Sequence, residues 1–162
     1  MTPERVRLAL PLTEMAREVG EQAATHDALS AAVGQGARRC AEEGSAAAAL
    51  CLDVLAARLA WHAQLFAGLV PRLSGDDPGA YLVLPDRGTG WIRLLDDAPG
   101  ASDRLTLLAA EVLPALMERH RAYLGRAAPV TDAPVIRVVT LAVADLSEQI
   151  AELERTITAE RP

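Results

Sequence analysis

The chain has 162 residues, a net charge of −6, 51% hydrophobic residues and only 3% aromatic ones. At that size one domain buries roughly 70% of its unfolded surface, so disorder is excluded and no disulfide or metal is required for stability; scarce aromatics favour helices over a β-sandwich. All 16 basic residues are arginines scattered among acids, which excludes a basic nucleic-acid stripe, a P-loop lysine and a Schiff-base lysine.

A first helix is predicted over about 3–33. Thr2 caps it, Pro3 takes the first helical position, and Pro11 kinks or restarts it. Its apolar stripe is Leu12, Met15, Ala16, Val19, Ala23, His26, Ser30 and Val33, and Gly34 and Gly36 end it. A second helix is predicted over about 45–70, with Ser45 as N-cap and Pro71 as stop. Its seam of Leu52, Leu55, Leu59, His62, Phe66 and Leu69 repeats at three and four residues. Opposite that seam lie Leu50, Val54, Trp61 and Leu65, so this helix is apolar on two sides. The second side needs a cover. Tyr81, Leu82, Leu84 or Trp91 could supply it from within the chain, or a second copy could pack there.

From about 71 to 102 the periodicity fails. SGDDPG and PDRGTG read as turns, YLVLP as extended, and WIRLLDD as one short helical turn. A third helix is predicted over about 103–125, with Pro114 a defect inside it and Gly125 its end. A fourth is predicted over about 132–160, with Thr131 or Asp132 as cap and a seam of Val135, Val139, Ala142, Val143, Leu146, Ile150, Leu153 and Ile157. Cys40 and Cys51 lack redox or zinc spacing and read as reduced thiols. The start of the chain has no apolar stretch of signal-peptide kind, and no uninterrupted apolar run reaches bilayer length, so a cytoplasmic protein without membrane or nucleic-acid partners is expected.

Two helical hairpins joined by one long crossover make a single all-α domain over 1–162, a four-helix bundle of ferritin-like topology. The segments GEQAATH at Gly20–His26, AWHAQLFAGLVP at Ala60–Pro71 and APVTDAPVIR at Ala128–Arg137 resemble the signature segments of a poorly characterised bacterial family of the ferritin-like superfamily. That resemblance implies a four-helix bundle and brings no known reaction with it.

The di-metal pattern of that superfamily takes one Glu from each of two helices and a Glu-x-x-His from each of the others. This chain departs from it: Leu59 stands three before His62, and Glu148 three after Asp145. Helical phase turns Asp145, Glu148, Glu152, Glu111, Glu118 and Glu21 toward solvent and leaves Glu18 on a flank. His26 and His62 fall on their apolar stripes and read as neutral core histidines; with a hairpin turn near 33–45 they lie more than one helical turn apart. His120 falls at the edge of the third helix's stripe of Leu105, Ala109, Val112, Leu116 and Tyr123.

The expectation is therefore a non-catalytic bundle without a cofactor, acting as a homodimer or accessory interaction protein through Leu50, Val54, Trp61 and Leu65. The alternative is an iron-, manganese- or zinc-dependent oxidase or hydroxylase using His62 with Glu18 or Glu21, and Glu111 and Asp145 beside them. A ligand beside His26 and Tyr123 is a further option.

Overall fold

The computed structural model describes residues 11–71 and 77–159, and every described element is helical. The expected start at Thr2–Pro3, part of SGDDPG and the last residues of the tail lie outside the described residues.

α1 spans Leu12–Glu42, with Pro11 at its N-cap. It does not stop at Gly34 and Gly36. Gly36 is buried facing Leu52 and Arg104, where a Cβ would make an ordinary contact at 3.6 Å with each, so this interior glycine neither ends the helix nor is demanded by its neighbours. The helix stops at Gly44, whose φ of +84° is the left-handed conformation that glycine adopts at no steric cost. Cys40, expected in a turn, is fully buried within the helix.

α2 spans Ala46–Ala67 and packs along α1 in the opposite direction. Ser45 occupies its N-cap position without a side-chain capping bond. The Ser30 hydroxyl of α1 donates to the Ala56 carbonyl of α2 at 2.9 Å, pinning the pair together.

The crossover is more helical than its turn residues suggest. A 3₁₀ turn at Pro78–Tyr81 is opened by Asp77, whose carboxylate accepts the Gly79 amide at 3.0 Å. The Tyr81 carbonyl then lies so close to Gly20 of α1 that a Cβ there would sit 2.0 Å from the oxygen. α3 follows over Asp86–Asp97. The expected PDRGTG turn supplies its N-terminus: Pro85 precedes it, Asp86 sits favourably in its first turn, and Gly88, Trp91 and Leu95 make a buried stripe. α3 packs on α1, and Arg39 of α1 donates to the Asp96 carbonyl and carboxylate at 3.0 and 2.9 Å. The connection thus follows α1 from Gly20 to Arg39.

The third predicted helix is divided into α4 (Ala101–Leu107), a π-turn (Leu108–Val112) and α5 (Leu113–Arg126). The π-turn lies immediately before Pro114, where the missing N–H and the clash with the carbonyl four residues back disfavour a regular α-turn. α6 spans Ala133–Ala159 and packs on α5 and α2. Asp132 precedes it, and its buried carboxylate accepts the Ala128 amide at 2.8 Å.

Ion pairs give the remaining directions. Glu18–Arg126 and Glu21–Arg119 run α5 opposite to α1, while Arg58–Glu148 and His62–Asp145 run α6 opposite to α2. Inside, the core has two apolar clusters. One gathers Leu29, Leu55, Leu59, Leu116 and Leu146; the other gathers Val19, Phe66, Tyr123, Val139 and Ala142. On each of these four helices the chain passes from one cluster to the other near His26, His62, His120 or Asp145.

Candidate functional site

A layer of imidazoles separates the two clusters. His26 of α1, His62 of α2 and His120 of α5 are all buried. The ring centre of His26 lies 5.6 Å from that of His62 and 5.1 Å from that of His120, and Phe66 stacks on His120 at 5.6 Å. The expected separation of His26 and His62 is therefore wrong, and the cause is the length of α1. With the hairpin turn at Gly44 rather than spread over 33–45, the two residues are level across the pair.

The hydrogen bonds assign the protons. His26 Nδ1 donates to the Gln22 carbonyl at 2.9 Å, so its Nε2 carries a lone pair. His120 Nε2 approaches that atom at 3.4 Å and donates to it. His62 Nε2 donates to Asp145 Oδ2 at 2.8 Å. The Nδ1 atoms of His62 and His120 are then bare acceptors, buried and without a hydrogen-bond partner; Gln22 Oε1 and the Tyr123 hydroxyl, which can both donate and accept, are likewise buried without one.

Burial keeps these groups neutral. Desolvation lowers the His26 pKa to about 3, against the raising effect of the Gln22 carbonyl. Desolvation holds His120 well below the usual imidazole range, and the neighbouring histidines add to it. His62 is lowered by desolvation too, partly offset by its bond to Asp145. Desolvation pushes the Tyr123 phenol up to about 12.

Asp145 was expected in solvent. Helical phase places it off the α6 seam, but α6 lies beside α2, and a flank between two helices is a contact surface. Its side chain is 18% exposed and faces His62 and Arg58. The other proposed ligands do not join it. Glu18 is held by Arg126 at 2.7 Å and Glu21 by Arg119 at 2.6 Å, both from α5, and Glu111 is exposed on the π-turn. Among the described residues, no group of three or more His, Cys, Asp or Glu side chains is placed to hold a metal ion. Glu18 and Glu21, the acids offered as partners of His62, are instead each paired with an arginine of α5.

An ion buried at the other end also escaped the sequence reading. Arg104 of α4 is 4% exposed and donates to Glu43 at 2.8 Å and to the Cys40 sulfur at 3.6 Å, tying α4 to the end of α1. No periodicity signals it, because Arg104 comes one residue before the apolar Leu105 and shares no pattern with Glu43.

The outer side of α2 is apolar and open. Leu50 is 67% exposed, Trp61 45% and Val54 43%, while Leu65 is half-buried. The described residues of the crossover do not cover this stripe. Trp91 joins the core cluster on α1, Tyr81 packs in the other cluster, and Leu82 and Leu84 flank only the α1 side of α2, beside Ala60 and Gln64. On the other side a groove of about 610 Å³ separates α2 from α6, with Leu50 and Val54 on one wall and Glu148, Glu152 and Arg155 on the other. By length and composition α2 is apolar enough to cross a membrane, the one such helix among the described residues. Its doubled apolar face accounts for that: Leu52, Leu55, Leu59 and Phe66 are core, and the Leu50–Trp61 side adds to them.

Comparison of the chain with protein-family models, with curated proteins and with solved structures found no match.

Proposed function

We propose that the chain is a four-helix bundle of the ferritin-like type that works as a dimerising or accessory interaction protein in the cytoplasm, engaging its partner through the outer face of α2. One observation carries the reading: Leu50, Val54 and Trp61 stand exposed in a single stripe. Scattered surface leucines need no explanation, but a contiguous stripe that includes a tryptophan is the composition of an interface core. The register of α2 on α6 places Leu141, also exposed, beside the Leu65 end of the stripe and extends the surface onto a second helix. One feature supports the bundle type: the crossover follows α1 from Gly20 to Arg39. The interior histidines serve this reading as a neutral layer within the core.

Tryptophan fluorescence tests it. Trp91 is buried, so Trp91→Phe leaves Trp61 as the reporter. Acrylamide quenching of Trp61 is expected to weaken as protein concentration rises, because association covers the ring. Full quenching at every concentration, with or without added cell extract, contradicts the reading.

A further inference from the structure

Resting on that reading, we propose that the occupant of the α2 face is the α2 helix of a second copy of this chain, packed parallel to the first about a two-fold axis. Ala47, Leu50, Val54, Ala57 and Trp61 follow one another at three, four, three and four residues, and all five are exposed. This is a heptad seam, with Ala47, Val54 and Trp61 at its a positions and Leu50 and Ala57 at its d positions. Such spacing is what a helix presents to another helix. A β-branched residue at a with leucine at d favours two strands.

Charge selects the orientation. Each residue advances about 100° around the helix, so Asp53 and Arg58 lie on opposite flanks of the seam. Asp53 directly precedes an a position, and Arg58 directly follows a d position. In a parallel pair these flanks meet with an offset of five residues, so Asp53 of each copy faces Arg58 of the other, twice across the axis. In an antiparallel pair like flanks meet. Asp53 would then face alanine or its own copy, and Arg58 would face Cys51, Leu65 or its own copy. Only the parallel arrangement joins opposite charges. Arg58 is also already positioned: Nη1 alone contacts Asp145 at 3.6 Å and Glu148 at 3.2 Å, out of the five N–H donors of the guanidinium.

The test is oxidation of the full chain carrying Leu50→Cys, Val54→Cys or Ala57→Cys singly, with wild type as control because Cys40 and Cys51 are buried. Across a parallel two-fold axis each seam residue faces its own copy at a Cα separation of about 6 Å, within disulfide reach. Covalent dimers are therefore expected at two or three of the positions and not in wild type. Asp53→Arg is expected to weaken association on the order of tenfold, since two attractive contacts become repulsive. An antiparallel pair brings at most one position onto the axis, so cross-linking at one position or none overturns the parallel packing. If the mass is nevertheless that of two chains and Trp61→Glu abolishes it, the association reading survives that failure. A single-chain mass overturns the two-copy packing, and the interaction reading falls with it if Trp61 also stays fully quenched in added cell extract.

Discussion

His62 donates its Nε2 proton to Asp145 Oδ2 across 2.8 Å, and this bond joins α2 to α6 at the level where the two apolar clusters meet. It also determines the tautomer of His62 and leaves the opposite nitrogen as a bare acceptor inside the core.

Removing the acceptor orphans a buried donor. Asp145→Ala is expected to destabilise the fold by about 1–3 kcal/mol, the desolvation penalty of an unmade buried hydrogen bond. For a chain of this length that lowers Tm by about 2–4 °C per kcal/mol. Asp145→Asn keeps an acceptor oxygen and is expected to lose less than half as much. Thermal unfolding followed by circular dichroism measures both; equal losses in the two variants would show that the bond to His62 is not the reason.

The histidine layer makes the protein acid-sensitive in a definite window. In the unfolded chain an imidazole titrates near 6.5, whereas burial holds His26 at about 3 and His120 well below its usual range. Above the unfolded value both states are neutral and nothing is lost. As pH falls below it, the unfolded chain gains protons that the folded chain refuses, so stability declines until the folded pKa is reached. The slope is about 1.4 kcal/mol per pH unit for each such histidine. Urea midpoints at pH 7.5 and 5.5 measure it. His120→Phe, which keeps an aromatic ring against Phe66 but removes the donor to His26, is expected to show a shallower fall between the two pH values. An unchanged slope contradicts the assignment.

Two interior glycines of α1 separate a tight contact from a tolerant one. Gly20→Ala drives a methyl into the Tyr81 carbonyl, 2.0 Å away, and is expected to destabilise by about 1–3 kcal/mol as the crossover turn is displaced. Gly34→Ala meets only the Ala56 methyl at 3.7 Å, an ordinary contact, and is expected to stabilise by about 0.5–1 kcal/mol through helix propensity. Chemical denaturation of the two variants checks the opposite signs.

These comparisons also show what the chain's pattern could and could not disclose. The α6 seam is largely legible from its spacing: Val135, Val139, Ala142, Leu146 and Leu153 are buried, while Val143, Ile150 and Ile157 are half-buried and the polar Gln149 and Thr156 take two of the buried positions. The true end of α1 is not legible, because Gly34 and Gly36 look like stop signals yet lie within the continuous helix; only the positive φ of Gly44 marks the turn. That single misplacement shifted the level of His26 relative to His62 and hid the imidazole layer. The second apolar side of α2 is legible, since it depends on spacing alone. Asp145 is not, because its phase reports an angle on one helix, while its burial depends on where a second helix lies.

The measurement that bears most directly on the central claim is multi-angle light scattering of the full chain over a concentration series, wild type beside Trp61→Glu. Trp61 is 45% exposed, so the substitution leaves the core intact, and circular dichroism verifies that. The account predicts a wild-type mass of two chains at high concentration and a single-chain mass for Trp61→Glu. A wild-type protein that stays single-chain throughout, indistinguishable from the variant, would contradict it.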